Sequence, residues 1–421
     1  MDISLSGRHR RLLAGSALLT LAYLLLATKE FAASYFGFRS DLPSLQRAVF
    51  LSPGNAEFQH HLGRYFAFVA GNPQAALERY QAAVHLNPHQ ARYWFDLASA
   101  YQVAGNPDGQ RAALEHAVQA EPTAPDVAWE AANFFLVAGD TDRALREFRV
   151  VIENDPFLPA LALQTCWRIR PDADALLRDV VPHRTNSLIA FLSLLQSKTE
   201  TEGAIKAWNQ LIQLRQKFET SYLLDYVRYM VREHRPEAAA AAWDQAASVL
   251  NLPAYLPTSD NLIVNGDFSL DILNGGFDWA YQTQPGVRLL LDPSDFREGE
   301  RSLSITFEGP GISDAGIRQW IPVHGATNYA FTAYYKSSEF QGAGGPQIVL
   351  RDLYTGQAVY TSDPLNGADF WKAVHTRFTT PASTGLLVLN IERIPAGSPI
   401  RGKLWLDDFQ LSPAETSEAQ P

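Results

Sequence analysis

Apolar and small residues recur at steps of three and four from residue 40 to residue 252, and beyond residue 260 the step falls to two. The first spacing belongs to helices buried along one face, the second to half-buried strands. Ahead of both, Leu12 to Ala27 is an unbroken run of apolar and small residues that continues weakly across Lys29 and Glu30 to Phe38, with Arg8, Arg10 and Arg11 before it. The pattern predicts a basic tip at 1–11, an apolar helix at 12–38, a helical region at 40–252 and an all-β region at 261–413. The segment "NLPAYLPTSD" has two prolines and no period, which places a linker at 253–260, and 414–421 reads as a disordered tail.

The apolar run is slightly shorter than the usual spanning length of about twenty residues. Arginines at one end and Lys29 at the other extend it by snorkelling. Two readings stay open. An uncleaved anchor would leave the arginines in the cytoplasm of a bacterial cell, with everything after residue 40 in the periplasm or outside. A signal segment cleaved near "FAAS" would release a secreted protein.

Inside the helical region prolines fall at 53, 88, 122 and 156, at intervals of 35, 34 and 34. Each interval repeats one order: a helix with a small residue (Gly63, Ala98, Ala132) and an aromatic three positions on (Phe66, Tyr101, Phe135), a glycine turn (Gly71, Gly105, Gly139), and a second helix ending before Pro88, Pro122 or Pro156. Small residues let paired helices approach, glycine accepts the positive φ of a helix end, and proline stops the second helix. This order resembles the tetratricopeptide repeat. "PSLQRAVFLSP" reads as a lone second helix before the first repeat, and 157–182 as a degenerate repeat. Ala204 and Trp208 recur 35 residues later as Ala239 and Trp243. The expectation is a solenoid over 40–252 whose groove holds a protein partner, or which only spaces the far module from the membrane.

Beyond the linker, "RSLSITF", "IRQWIPV", "YAFTAYY", "QIVLRDLY", "VHTRF", "LLVLNI" and "KLWLDDFQL" alternate between Gly/Pro turns, as expected for a two-sheet sandwich of seven or eight strands. The opening "NLIVNGDFS", with "FDW", "RQWIPV", "NYAFTAYYKS" and the closing "LWLDDFQL", resembles the jelly-roll carbohydrate-binding modules of the galactose-binding-like kind. The resemblance implies that the two ends of the module lie together and hold a structural Ca²⁺. The residues it marks are Asn265, Asp267, Ser269, Asp407 and Asp408, with Asp271 able to stand in where relatives have an acid in place of Ser269. It also implies a sugar site on a sheet face or loop. If Ile317, Gln319 and Ile321 face the core, parity turns Arg318 and Trp320 outward, together with Tyr334, Arg351, His375, Arg377, Asn390 and Glu392. Trp320, Tyr334, Arg351, His375, Arg377 and Asn390 are the carbohydrate candidates, though parity does not say which of them share a face. Trp279, Phe370, Trp371 and Trp405 are assigned to the core or its rim.

Composition narrows the chemistry. A net charge of −10 and no basic stripe argue against a nucleic-acid partner. One cysteine, Cys166, excludes an internal disulfide. His60 and His61 are adjacent on a helix and point too far apart to share a metal. No metalloprotease, nucleophile-elbow or P-loop pattern is present, and Ser16 lies in the apolar run. The sequence thus reads as a non-enzymatic, single-pass adaptor of the bacterial inner membrane. In that reading the chain is an all-α tetratricopeptide solenoid followed by an all-β jelly-roll sandwich, binding a protein through one and polysaccharide through the other in surface-polysaccharide assembly or export. A purely structural scaffold is the alternative, and a glycan hydrolase a further one.

Overall fold

A computed structural model describes residues 7–414; residues 1–6 and 415–421, which hold much of the basic tip and nearly all of the tail, lie outside the described residues. Among the described residues there are fourteen α-helices and then ten strands. The chain divides into two compact units, 1–182 and 183–421, so the division of the structure does not coincide with the 253–260 segment where the sequence placed a linker.

The first unit begins with α1 (Gly7–Gly37), whose residues 11–37 are long and apolar enough to cross a membrane. Leu18, Leu19, Tyr23 and Leu25 along it are exposed, while its last turn joins the array, with Ala33 packed against Ala48 and Phe58. α2 (Leu42–Leu51) is the lone second helix expected from the sequence. Three helix pairs follow: α3 (Ala56–Phe68) with α4 (Pro73–Leu86), α5 (Ala91–Val103) with α6 (Pro107–Ala120), and α7 (Pro125–Val137) with α8 (Thr141–Asn154). The short pair α9 (Pro159–Ile169) and α10 (Ala173–Asp179) occupies the degenerate stretch.

Each turn is built the same way. Gly71, Gly105 and Gly139 have φ of 61°, 68° and 79°. The next residue caps the second helix: the side-chain oxygens of Asn72, Asn106 and Asp140 accept from the N–H of Ala75, Gly109 and Arg143 at 3.1, 2.9 and 3.2 Å. The same three residues donate their backbone N–H to the carbonyls of Phe66, Tyr101 and Phe135 at 2.8–2.9 Å, closing the first helix. Gly63, Ala98 and Ala132 are buried as expected, and a Cβ on Gly63 would lie 2.8 Å from the Tyr80 ring. Of the three aromatics only Phe135 is fully buried. Phe66 sits one residue earlier relative to its turn glycine, and Tyr101 turns its hydroxyl to Gln81.

The second unit opens with α11 (Thr185–Ser197), α12 (Thr201–Gln213), α13 (Thr220–Arg232) and α14 (Pro236–Leu250). Trp208 stacks on Tyr226 at 4.2 Å within these helices. Its counterpart Trp243 turns instead to the β module, meeting Phe277 edge-on at 5.8 Å and donating its indole N–H to the Tyr255 carbonyl at 2.8 Å. Gly276, at φ 64°, leaves room for that ring, since a Cβ there would lie 2.0 Å from it. Tyr354 completes the junction by stacking on His234 at 4.3 Å and donating to the Val231 carbonyl. The expected linker is therefore a strap, with a 3-10 turn at Pro253–Tyr255 and the Tyr255 hydroxyl bonded to the Asp271 carbonyl.

The β module is a two-sheet antiparallel sandwich. Sheet A is ordered β1 (Trp279–Tyr281), β4 (Asp314–Pro322), β9 (Leu386–Ile394), β6 (Gly345–Asp352), β7 (Ala358–Thr361). Sheet B is ordered β2 (Val287–Asp292), β3 (Ser302–Gly311), β10 (Pro399–Pro413), β5 (Asn328–Gln341), β8 (Lys372–Thr379). Alternate residues of both sheets fill the core, among them Ile305, Phe331, Leu389 and Leu406. The opening segment is not a strand, because Asn265 and Phe268 have φ of 51° and 52°. It nonetheless lies along β10 beyond the end of β3. Leu262 N–H donates to the Leu411 carbonyl, Phe409 N–H to the Gly266 carbonyl, and the Asn261 amide bonds both Phe409 and Leu411 in place of a strand.

Candidate functional site

Residues on β4 show the parity read from the sequence: Ile317, Gln319 and Ile321 are buried inside, with Arg318 and Trp320 on the outer face of sheet A. Antiparallel pairing with β9 sets Arg318 opposite Asn390 and Asp314 opposite Glu392, and β6 adds Arg351. α14 packs against β4, and the loop at Gly385 lies against Pro236. The rest of the face is open as a cleft of about 610 Å³, lined among others by Tyr281, Gln282, Arg318, Arg351, Asn390 and Glu392. Arg351 clamps Glu392 through two parallel bonds of 2.8 Å, from Nε to Oε1 and from Nη2 to Oε2. Against the cleft lies a smaller hollow of about 290 Å³ that shares Tyr281, Gln282 and Arg318 with it and adds Arg228, Asn274 and Trp320. The Trp320 indole N–H is buried without a partner among the described residues. The Arg318 guanidinium beside the Gln282 and Asn390 amides is a surface that hydrogen-bonds hydroxyls, while Tyr281, paired with Ile317, turns its ring to the other side of the sheet.

The six carbohydrate candidates are split between faces. Trp320, Arg351 and Asn390 belong to sheet A; Tyr334, His375 and Arg377 lie on β5 and β8 of sheet B. Tyr334 offers no free platform, because the Arg297 guanidinium sits 3.3 Å above its ring. His375 bonds the Thr332 hydroxyl at 3.0 Å. On the same sheet Trp405 donates to Asp292 at 3.0 Å, with the Lys403 ammonium over its ring. Trp279 is in the core as expected, but Phe370 is 85% exposed, contrary to its assignment. Tyr281, Gln282 and Gln284 went unread in the sequence, since β1 is three residues long and shows no alternation.

The two ends of the module do meet, and protein donors fill the junction. Asp407, fully buried, accepts from the N–H of Arg297 at 2.6 Å, Glu298 at 3.1 Å and Asp408 at 2.8 Å. Asp408 pairs with the Arg297 guanidinium and accepts from Gln410. Asp267 accepts from the Ser269 hydroxyl at 2.7 Å, and Asn265 bonds Leu270 in both directions. The Arg301 guanidinium takes the carbonyls of Phe268 and Ser269 and the carboxylate of Asp271. Ca²⁺ needs six or more oxygens with free lone pairs; N–H donors point at these oxygens, so the set in this arrangement does not fit the ion. Treatment with EDTA is expected to leave the melting temperature unchanged in calorimetry, whereas a fall of several degrees would put a cation among these oxygens.

Elsewhere the candidates separate. His60 is buried against Asp96 at 2.6 Å, while His61 turns to the Gly37 carbonyl. Among the described residues no group of three or more His, Cys, Asp or Glu side chains converges as a metal site. Burial pushes the Cys166 thiol up to about 12, away from reactive thiolate. In the first unit an apolar groove of about 590 Å³ runs along α7, lined by Asp126, Trp129, Glu130, Phe134, Val137 and Leu158 among others.

A family model described as tetratricopeptide repeat matches residues 66–125 and 100–159. Among curated proteins the chain is similar to the tRNA nuclease WapA of Bacillus subtilis (strain 168), 23% identical over 190 residues, 43% of this chain and 8% of that protein. The tRNA(Glu)-specific nuclease WapA of Bacillus subtilis subsp. natto (strain BEST195) matches at the same identity and coverage. The chain thus spans 8% of the length of these curated relatives. Among solved structures it is similar to a CBM4 module at 20% identity, 36% of this chain and 99% of that one, with a TM-score of 0.29. It is also similar to the CBM22-1 xylan-binding domain from Paenibacillus barcinonensis Xyn10C at 18% identity, covering 36% and 94%, TM-score 0.25. MamA is matched at 16% identity, covering 41% and 84%, TM-score 0.23. By the family match, residues 66–159 are tetratricopeptide repeats, carried in one chain with a two-sheet β-sandwich.

Proposed function

We propose that this chain is a non-enzymatic adaptor, held in a bacterial membrane by α1, that binds carbohydrate on sheet A and a protein partner through its repeats. The observation that carries the carbohydrate half is the open cleft of sheet A, lined by Gln282, Arg318 and Asn390 beside the locked Arg351–Glu392 pair. The groove along α7 supports the protein half, with Trp129 and Phe134 for apolar side chains and Asp126 and Glu130 for basic ones. The outward-facing placement of both units and a role in surface-polysaccharide assembly or export follow from the anchor reading and the pairing of modules. They remain part of this proposal.

Two carboxylates, Asp314 and Glu392, line the same cleft, which is the arrangement a glycosidase would need. Here both Glu392 oxygens are taken by Arg351, which leaves Asp314, one oxygen of which accepts from the Gly316 N–H at 2.7 Å, without a second unpaired carboxylate in the cleft. The test is retention of the full chain, in detergent micelles, on immobilised polysaccharides. Binding that falls about tenfold or more in the Gln282→Ala/Asn390→Ala double variant, with no reducing ends released, is the expected result. Sugar binding indifferent to both changes would refute the cleft, and released reducing ends would make the protein a hydrolase.

A further inference from the structure

Arg318 stands out among the charges of sheet A. It lines both the cleft and the hollow beside it, opposite Asn390. Among the described residues its guanidinium makes no hydrogen bond or ion pair, and its one ring contact is with Trp320 at 5.9 Å. The other two arginines of the cleft lining differ from it. Arg351 is clamped on Glu392. Arg393, 1% exposed and on the core-facing side of β9, donates to the carbonyls of Ala343, Ile394 and Gly345 and does not present its charge to the cleft. Of the two arginines whose side chains face the cleft, Arg351 is held by Glu392 and Arg318 reaches solvent with no ion pair. The hollow adds Arg228 of α13, held to Asp225 on its own helix at 3.0 Å, and the buried Asp278 carboxyl. This happens on a chain whose net charge is −10.

A neutral glycan laid over Arg318 would take water from a guanidinium and give back only hydroxyls, which is a poor exchange for a charged group. A carboxylate offers two parallel acceptors that match the guanidinium fork. We propose that the cleft is specific for an acidic polysaccharide, one bearing hexuronate carboxylates. Arg318 takes the carboxylate, and Asn390 and Gln282 meet hydroxyls. This rests on the carbohydrate reading of the cleft.

The test is calorimetric titration of the full chain in detergent micelles with polygalacturonate, alginate, neutral xylan and dextran sulfate. Both carboxylated polymers are expected to bind at least about tenfold tighter than xylan. That advantage should shrink as NaCl is raised from about 50 mM to about 500 mM. Arg318→Gln should remove it and Arg318→Lys restore part of it, because lysine keeps the charge without the fork. Xylan bound as tightly as polygalacturonate, with Gln282→Ala and Asn390→Ala abolishing both and Arg318→Gln changing neither, would overturn the acidic specificity and leave the cleft standing. Dextran sulfate bound as tightly as polygalacturonate and unaffected by Arg318→Gln would mark a general polyanion effect and overturn it as well. Failure of every polymer to bind would overturn the cleft reading itself, and this inference with it.

Discussion

Trp243→Ala is expected to destabilise the second unit by about 3–5 kcal/mol, the usual cost of deleting a buried indole. The ring is 2% exposed, fills the space left by Gly276, meets Phe277 and holds the Tyr255 carbonyl. For a body of this size the loss corresponds to a fall in melting temperature on the order of 10 °C, read by calorimetry of the intact protein. Trp208→Ala removes a ring equally buried but stacked within the helices, and so separates two effects. Only the Trp243 change should expose the 253–260 strap to limited proteolysis. Gly276→Ala should resemble Trp243→Ala, since its Cβ would collide with the ring. An unchanged melting temperature with an intact strap in the Trp243 variant would show that helices and sandwich do not rely on each other.

The second large effect concerns pH. Burial pushes the Asp278 carboxyl up to about 7 and that of Asp407 up to about 6, against N–H donors that favour the ionised form. In the unfolded chain both ionise near pH 4. Between about pH 4 and 6 the folded protein thus holds two protons that the unfolded chain has released, and between about 6 and 7 it holds one. Stability then falls as pH rises, by roughly 1.4 kcal/mol per pH unit for each such group. Asp292 works in the opposite direction. The Ser294 hydroxyl, with Trp405 and Lys403, holds its carboxyl well below the usual range, so its contribution is present at neutral pH and lost as pH drops below about 4. The melting temperature of the second unit is therefore expected to peak near pH 4–5 and to decline by several degrees towards pH 7. Asp278→Asn keeps an acceptor for the Leu273 N–H and removes the titration, so it should flatten the decline. A slope identical in the variant would mean that Asp278 is ionised in the folded state throughout the range from about pH 4 to 7.

Much of this architecture was legible because local chemistry and global packing agree. The glycine turns, their Asn/Asp caps and the stopping prolines are each set by backbone rules within a few residues, and all three full repeats carry them. Strands of seven or more residues announced themselves by alternation, and the parity on β4 held residue by residue. What escaped was decided at long range. Tyr334 and Trp320 have the same outward parity but belong to different sheets, because sheet membership follows from the β1-β4-β9-β6-β7 order rather than from any neighbour in sequence. β1 and β7 are too short to show a period. Trp208 and Trp243 occupy equivalent places in a 35-residue pattern, yet one finds Tyr226 and the other Phe277. The opening segment looked like a first strand, and it is an irregular turn that copies a strand's bonds with the side chain of Asn261.

The Trp243 junction also bears on how such a module passes from one protein to another. A gene fragment starting at residue 261 would encode a sandwich with Phe277 bared where the indole had covered it. Tyr354 would lose both its stacking partner His234 and its acceptor at Val231. Arg228, one wall of the hollow beside the cleft, would be missing too. Recombination at the proline-rich strap would therefore yield a recipient with a damaged outer face on sheet A, while a breakpoint near residue 183 would carry the face across whole. The heritable piece is larger than its β-strands.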